Sequence, residues 1–226
     1  TRTFRCPDQI SKISSEFAMK NPAQLTKSVT GQPNFLESHI TIHFAASGNN
    51  REESAANRKA AIRFATEKIL RGDGLGKESL IVLGRYNHEL ENRPDLSEFN
   101  GTFDYGYHTI HRSKGREADH IIVVGVDADD KFGFPSGIED DFVLNLVMPG
   151  KESFAYAEER RLLYVAMTRA KKSVTLIADE RTPSTFIREL IDDFDVPTLS
   201  ALGEPIESES CPQCGSTLVE KTNRGT

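Results

Sequence analysis

The chain has 226 residues, 27% of them charged, and a formal net charge of −6. That length supports one well-cored domain with extra segments. The acidic balance speaks against a uniformly basic nucleic-acid protein, and no apolar run approaches the ~20 residues that would cross a bilayer. Three cysteines, two of them in one C-x-x-C, suit a reducing cytoplasm better than a disulfide framework. No charged-then-apolar leader opens the chain. A first residue of threonine, with no initiator methionine, leads us to expect a piece of a larger cytoplasmic protein.

The first helix follows Thr3-Phe4-Arg5-Cys6, with Asp8 as its cap and Ile10, Ile13 and Phe17 as its apolar stripe. His39 to Ala45 alternates as a strand, Ile40, Ile42 and Phe44 on one side and His39, Thr41 and His43 on an exposed face. Ser54 to Leu70 is an amphipathic helix that Gly72-Asp73-Gly74 ends. Leu80 to Arg85 is a buried strand, followed by Tyr86-Asn87 and a linker holding Pro94 and Asn100-Gly101.

Thr109 to His111 is read as a short strand. The polar, basic turn HRSKGREADH then feeds HIIVVGV, a continuous apolar run of the kind found where both faces of a parallel strand are buried. Asp127 to Tyr156 is an acidic connection expected to cross the surface. Glu158 to Lys172 has acids first and bases last, the polarity a helix dipole favours. Leu162, Val165, Ala166 and Arg169 share one stripe, so Arg169 is either a solvated cap or aimed at a buried anion. Ser173 to Ala178 is a buried strand. Thr182 caps the last helix, with Pro183 at its first position and Phe186, Ile187, Leu190 and Ile191 as its stripe. Pro197 marks the end of the packed region. The tail carries Cys211-Pro212-Gln213-Cys214-Gly215, two thiolates on one turn where structural zinc wants four ligands.

Two stretches are long and specific. Thr109-Ile110-His111-Arg112-Ser113-Lys114-Gly115-Arg116-Glu117 resembles motif V of the UvrD/Rep class of superfamily 1 helicases, T-x-H-x-x-K-G-x-E. Glu158-Glu159-Arg160-Arg161-Leu162 with Tyr164-Val165 and Thr168-Arg169-Ala170 resembles motif VI of the same family. Thr3 to Cys6 stands where motif IV stands, and Arg85-Tyr86-Asn87 resembles the segment Y-R-S-N. The large insertion that UvrD and Rep carry before motif V is missing or minimal here.

The resemblance implies an α/β, RecA-like domain with a mainly parallel sheet over residues 1–199. Residues 200–226 would be a flexible tail with an incomplete CPxCG zinc-ribbon half. G-x-x-x-x-G-K-[ST] is absent from the sequence, so this is expected to be the second, C-terminal motor domain. ATP and Mg2+ would then be held mainly by a missing N-terminal RecA-like domain. Carried over by resemblance, Arg169 is an arginine finger, Arg5 a second γ-phosphate contact, and Glu117 a ribose partner on the turn that Gly115 shapes. Thr109, His111 and Arg112 would face single-stranded DNA. Arg160 and Arg161 are expected to form salt bridges tying motif VI to motif V. Zn2+ would bind Cys211 and Cys214 only with further ligands in the full-length protein. Partners would be single-stranded DNA and other repair or transcription proteins, with no membrane. The competing reading is a non-enzymatic helicase-like module that binds DNA or RNA polymerase, which the acidic Asp127 to Asp141 loop would favour. A helicase–nuclease is a third, for which no acid cluster is apparent after Pro197.

Overall fold

Alternating burial along two strands organises the domain in the computed structural model of the protein. The residues described are 2–22, 30–32, 39–71, 77–91, 93–99, 101, 103–129, 132–136 and 154–206, without the side chains of 2–5 and 30–32. Strands β1 (Arg2–Pro7) and β2 (Thr30–Gln32) form a small parallel pair. The main sheet holds β3 (His39–Ala45), β4 (Glu78–Gly84), β5 (Phe103–Thr109), β6 (Ala118–Val124), β7 (Ala170–Asp179) and β8 (Thr198–Leu199). Its order is β5-β4-β6-β7-β3-β8, and every neighbouring pair is parallel.

Both faces are covered, which is why HIIVVGV is apolar without interruption. Ile121 and Val123 of β6 join Val174 and Leu176 of β7 under helices α1 (Asp8–Met19), α4 (Ala157–Met167) and α5 (Thr185–Phe194). Ile122 and Val124 face the other way, with Ala61, Ile62 and Ala65 of α2 (Arg51–Leu70) and Leu90 of α3 (Asn87–Glu91). The expected parallel α/β sheet is therefore present, with four of its five expected strands in place.

The fifth expected strand is displaced. β5 ends at Thr109, and His111–Ser113 is a 3-10 turn. The strand is the preceding FDYGYHT run, in which Phe103, Tyr105 and Tyr107 alternate with Asp104, Gly106 and His108. His43 is a second correction. The face shared by Thr41 and His43 was expected to be exposed, yet His43 is buried against Phe64 of α2, ring centroids 4.9 Å apart. A parallel sheet needs cover on both sides, and α2 supplies it.

Caps also shift. Pro7, not Asp8, occupies the α1 cap position. Asn50 caps α2, its Oδ1 accepting from the Glu53 N–H at 2.9 Å, so the helix starts before Ser54. Ser184 caps α5 in place of Thr182, whose N–H and hydroxyl donate to Asp179 instead. The connection after Asp127 is not wholly superficial: Phe134 is fully buried and meets Phe186 edge-on at 6.1 Å. Residues 198–206 fold back through a bridge between Leu199 and Pro205. Gly72-Asp73-Gly74, Cys211 and Cys214 lie outside the described residues.

Candidate functional site

The residues singled out in the sequence divide between the two ends of the sheet. At the end where strands begin, Glu117 immediately precedes β6 and Arg169 immediately precedes β7. The two strands start in register, Ala118 opposite Ala170, and the Ala118 N–H donates to the Arg169 carbonyl at 3.1 Å. Glu117 is exposed, its carboxylate 3.9 Å from Lys171 Nζ. Gly115 has φ +86 with nothing within 4 Å of a would-be Cβ. Its conformation, not lack of space, asks for glycine there.

Arg169 stands two residues beyond α4, not within its apolar face. That face is Leu162, Leu163, Ala166 and Met167, while Val165 and Arg169 are half-buried. Arg169 Nε donates to the Val165 carbonyl at 3.0 Å, which anchors the root of the guanidinium. Its charge also reaches Cys6, where burial nevertheless holds the thiol above its ordinary pKa. Arg5, next to Cys6 on β1, has its side chain outside the described residues.

At the opposite end, Thr109 closes β5 level with Gly84, the last residue of β4. Thr109 Oγ1 accepts from the Arg112 N–H at 3.4 Å, and the Ile110 N–H donates to the Gly84 carbonyl at 3.0 Å. His111 and Arg112 are exposed. Although His111 is largely exposed, the partial desolvation of its ring, and then the charges of Arg85 and Lys114, hold it below the usual histidine pKa. It is therefore a neutral hydrogen-bonding group at pH 7.

A feature with no local sequence signal holds this end together. Arg85 and Glu159 form a bidentate pair, Nη2 to Oε1 at 2.8 Å and Nε to Oε2 at 3.0 Å. Glu159 also accepts from the Ser136 N–H at 3.2 Å, and Tyr86 Oη meets Ser136 Oγ at 2.8 Å. Thus α4 carries Glu159 at one end of the sheet and leads into Arg169 at the other, its 11 residues spanning roughly 16 Å.

Arg160 does not make the expected tie to the Thr109–Glu117 segment. Arg160 is buried, pairs with Glu189 of α5 at 2.5 Å and donates to the Phe17 carbonyl at 3.0 Å. Its guanidinium lies 4.3 Å from the Phe17 ring centre and 5.0 Å from that of Phe186. Arg161 pairs with Glu158 on its own helix. The tie from α4 toward the Thr109–Glu117 segment runs instead through Glu159 and Arg85.

Among the described residues, no group of three or more His, Cys, Asp or Glu side chains could hold a metal ion, and no helix is long and apolar enough to cross a membrane.

Residues 107–181 match the family described as UvrD-like helicase C-terminal domain. Among individual proteins, DNA helicase IV of Escherichia coli (strain K12) is 31% identical over 199 residues, which is 86% of this chain. YjcD of Bacillus subtilis (strain 168) is 44% identical over 82 residues, 35% of this chain. The chain spans about a quarter of the length of DNA helicase IV and a tenth of YjcD, with 26% and 10% covered. A solved C-terminal domain of a possible DNA helicase from Lactobacillus plantarum WCFS1 superposes with a TM-score of 0.44 at 15% identity. That superposition covers 82% of this chain and 92% of the other.

Proposed function

We propose that this chain is the C-terminal motor domain of an ATP-dependent DNA helicase or translocase. The observation that carries the reading is the placement of Glu117 and Arg169 immediately before the starts of adjacent strands, with Thr109, His111 and Arg112 grouped at the far end. The first pair faces a nucleotide shared with a companion RecA-like domain; the second group faces a single strand. Phosphoryl transfer needs cations where charge builds, and a planar guanidinium anchored at Nε suits that task. Arg5, one residue from Cys6, is proposed as a second phosphate contact. Glu117 accepts from a ribose hydroxyl, and Gly115 lets the turn before it close. When bound, Mg2+ neutralises phosphate charge, its ligands coming mainly from the companion domain. Neutral His111 donates a hydrogen bond to the strand, while Arg112 supplies charge to a phosphate. DNA repair is a fitting setting, with other repair or transcription proteins as partners.

The test uses full-length protein, with ATP turnover measured with and without single strands. Arg169→Lys is expected to lose roughly 10³- to 10⁵-fold of stimulated turnover while keeping the fold and single-strand binding. His111→Ala is expected to weaken DNA stimulation more than basal hydrolysis. Near-normal stimulated turnover by Arg169→Lys would return Arg169 to a solvated cap. Strand binding without any turnover in the wild type would favour the non-enzymatic module.

A further inference from the structure

Three aromatic rings from two distant segments meet beside the Arg85–Glu159 pair. Tyr86 and His88 stack with centroids 5.4 Å apart and planes 18° apart. Phe132 stands edge-on to both, at 5.9 Å from Tyr86 and 5.3 Å from His88. Phe132 is 54% exposed, although a phenylalanine gains most from burial. The Tyr86 ring beside it is held firmly. The Tyr86 N–H donates to Glu89 Oε2 at 2.9 Å, its hydroxyl meets Ser136, and the Arg85 guanidinium lies 4.8 Å from its ring centre. Phe132 is itself set in a turn, its N–H donating to Asp129 Oδ1 at 2.7 Å.

We infer that Phe132, with Tyr86 and His88, forms a stacking platform for one nucleobase of the single strand. This inference rests on the proposed DNA role of the same end of the sheet. A rigid aromatic surface with an open face is what sequence-tolerant binding of single strands uses, since every base has a π-face. The platform adjoins the group already assigned to the strand. Gly84 precedes Arg85 and accepts from Ile110, and His111 feels the Arg85 charge. Phosphates on the His111 and Arg112 side leave the attached base free to turn toward Phe132. A basic protein segment fits less well, because a second cation on these rings would meet Arg85, already over Tyr86.

The experiment measures binding of fluorescein-labelled oligo(dT), and of a strand of equal length without bases, to full-length protein. Phe132→Leu keeps apolar bulk and removes the ring; Phe132→Tyr keeps the ring. Phe132→Leu is expected to weaken oligo(dT) binding about 5- to 150-fold, Phe132→Tyr to bind as the wild type, and all three to bind the baseless strand equally. Unchanged oligo(dT) binding by Phe132→Leu, or an equal loss on the baseless strand, would overturn the platform. If His111→Ala still weakens binding in that case, the DNA role stands and only the platform fails. If the wild type binds neither strand, the DNA role fails and takes the platform with it.

Discussion

Glu159 closes on Arg85 with both carboxylate oxygens, joining the first turn of α4 to the end of β4 across 74 residues of sequence. Burial alone would lower the arginine pKa; the carboxylate outweighs it and the net shift is upward. Glu159→Gln keeps the shape but leaves Arg85 without its counter-charge in a mostly buried place. The expected cost is on the order of 1.5–3 kcal/mol, read as a lower urea midpoint with an unchanged slope. A midpoint equal to that of the wild type would make the pair incidental.

Glu89 gives a pH-dependent prediction. Burial raises its pKa to about 8, the nearby charge of Asp127 adding to this and that of Arg58 opposing it. Its carboxyl also fills the space where a Cβ on Gly125 would go. The folded protein thus holds a proton that the unfolded chain releases near its ordinary value of 4.5. Stability from this group is full below about 4.5 and falls as pH rises toward about 8. Glu89→Gln is expected to match the wild type near pH 5 and to be more stable at pH 8.5. Parallel melting curves across that range check it; a constant difference at every pH would refute it.

His43 is buried with neither ring nitrogen in a hydrogen bond, and the Ser200 backbone approaches it without meeting bonding geometry. Burial holds its pKa below 6.5, so its contribution is full above that pH and diminishes on acidification. His43→Leu, of similar volume, removes the unpaired polar atoms and is expected to stabilise by roughly 1–3 kcal/mol. Thermal denaturation at pH 7 and pH 5.5 should show the larger gain at the lower pH. Destabilisation at both would point to an unseen partner.

The 226-residue chain alone is expected to hydrolyse no ATP above background, because the sequence holds no phosphate loop. Phosphate release with and without oligo(dT) measures this directly. Turnover abolished by Arg169→Ala would show a complete site within this chain.

What could be read from the sequence was what is written contiguously. Thr109 to Glu117 and Glu158 to Ala170 carry their patterns in single runs, and the two-faced burial of β6 shows as unbroken apolar residues. His43 misled because alternation tells which residues share a face, not whether a helix covers it. Ser184 and Asn50 were overlooked as caps because several polar residues stood close by and only backbone geometry selects among them. The Arg85–Glu159 pair, the Arg160–Glu189 pair and the ring trio join residues 74, 29 and 46 or fewer positions apart, and no local pattern announces such partners.

Strand β3 borders only β7 and β8, although it precedes β4, β5 and β6 in the chain. Both of its neighbours are made late, from Ala170 onward. At about 5–20 residues per second of synthesis, His39–Ala45 spends roughly 6–25 s on the ribosome with both edges unpaired. Unpaired edges are templates for other chains. The nascent domain is thus open to proteases and to mispairing at β3 until Ala170–Asp179 is made. A chain terminated short of Ala170 would keep the β4–β5 and β4–β6 pairings yet strand β3 without a partner.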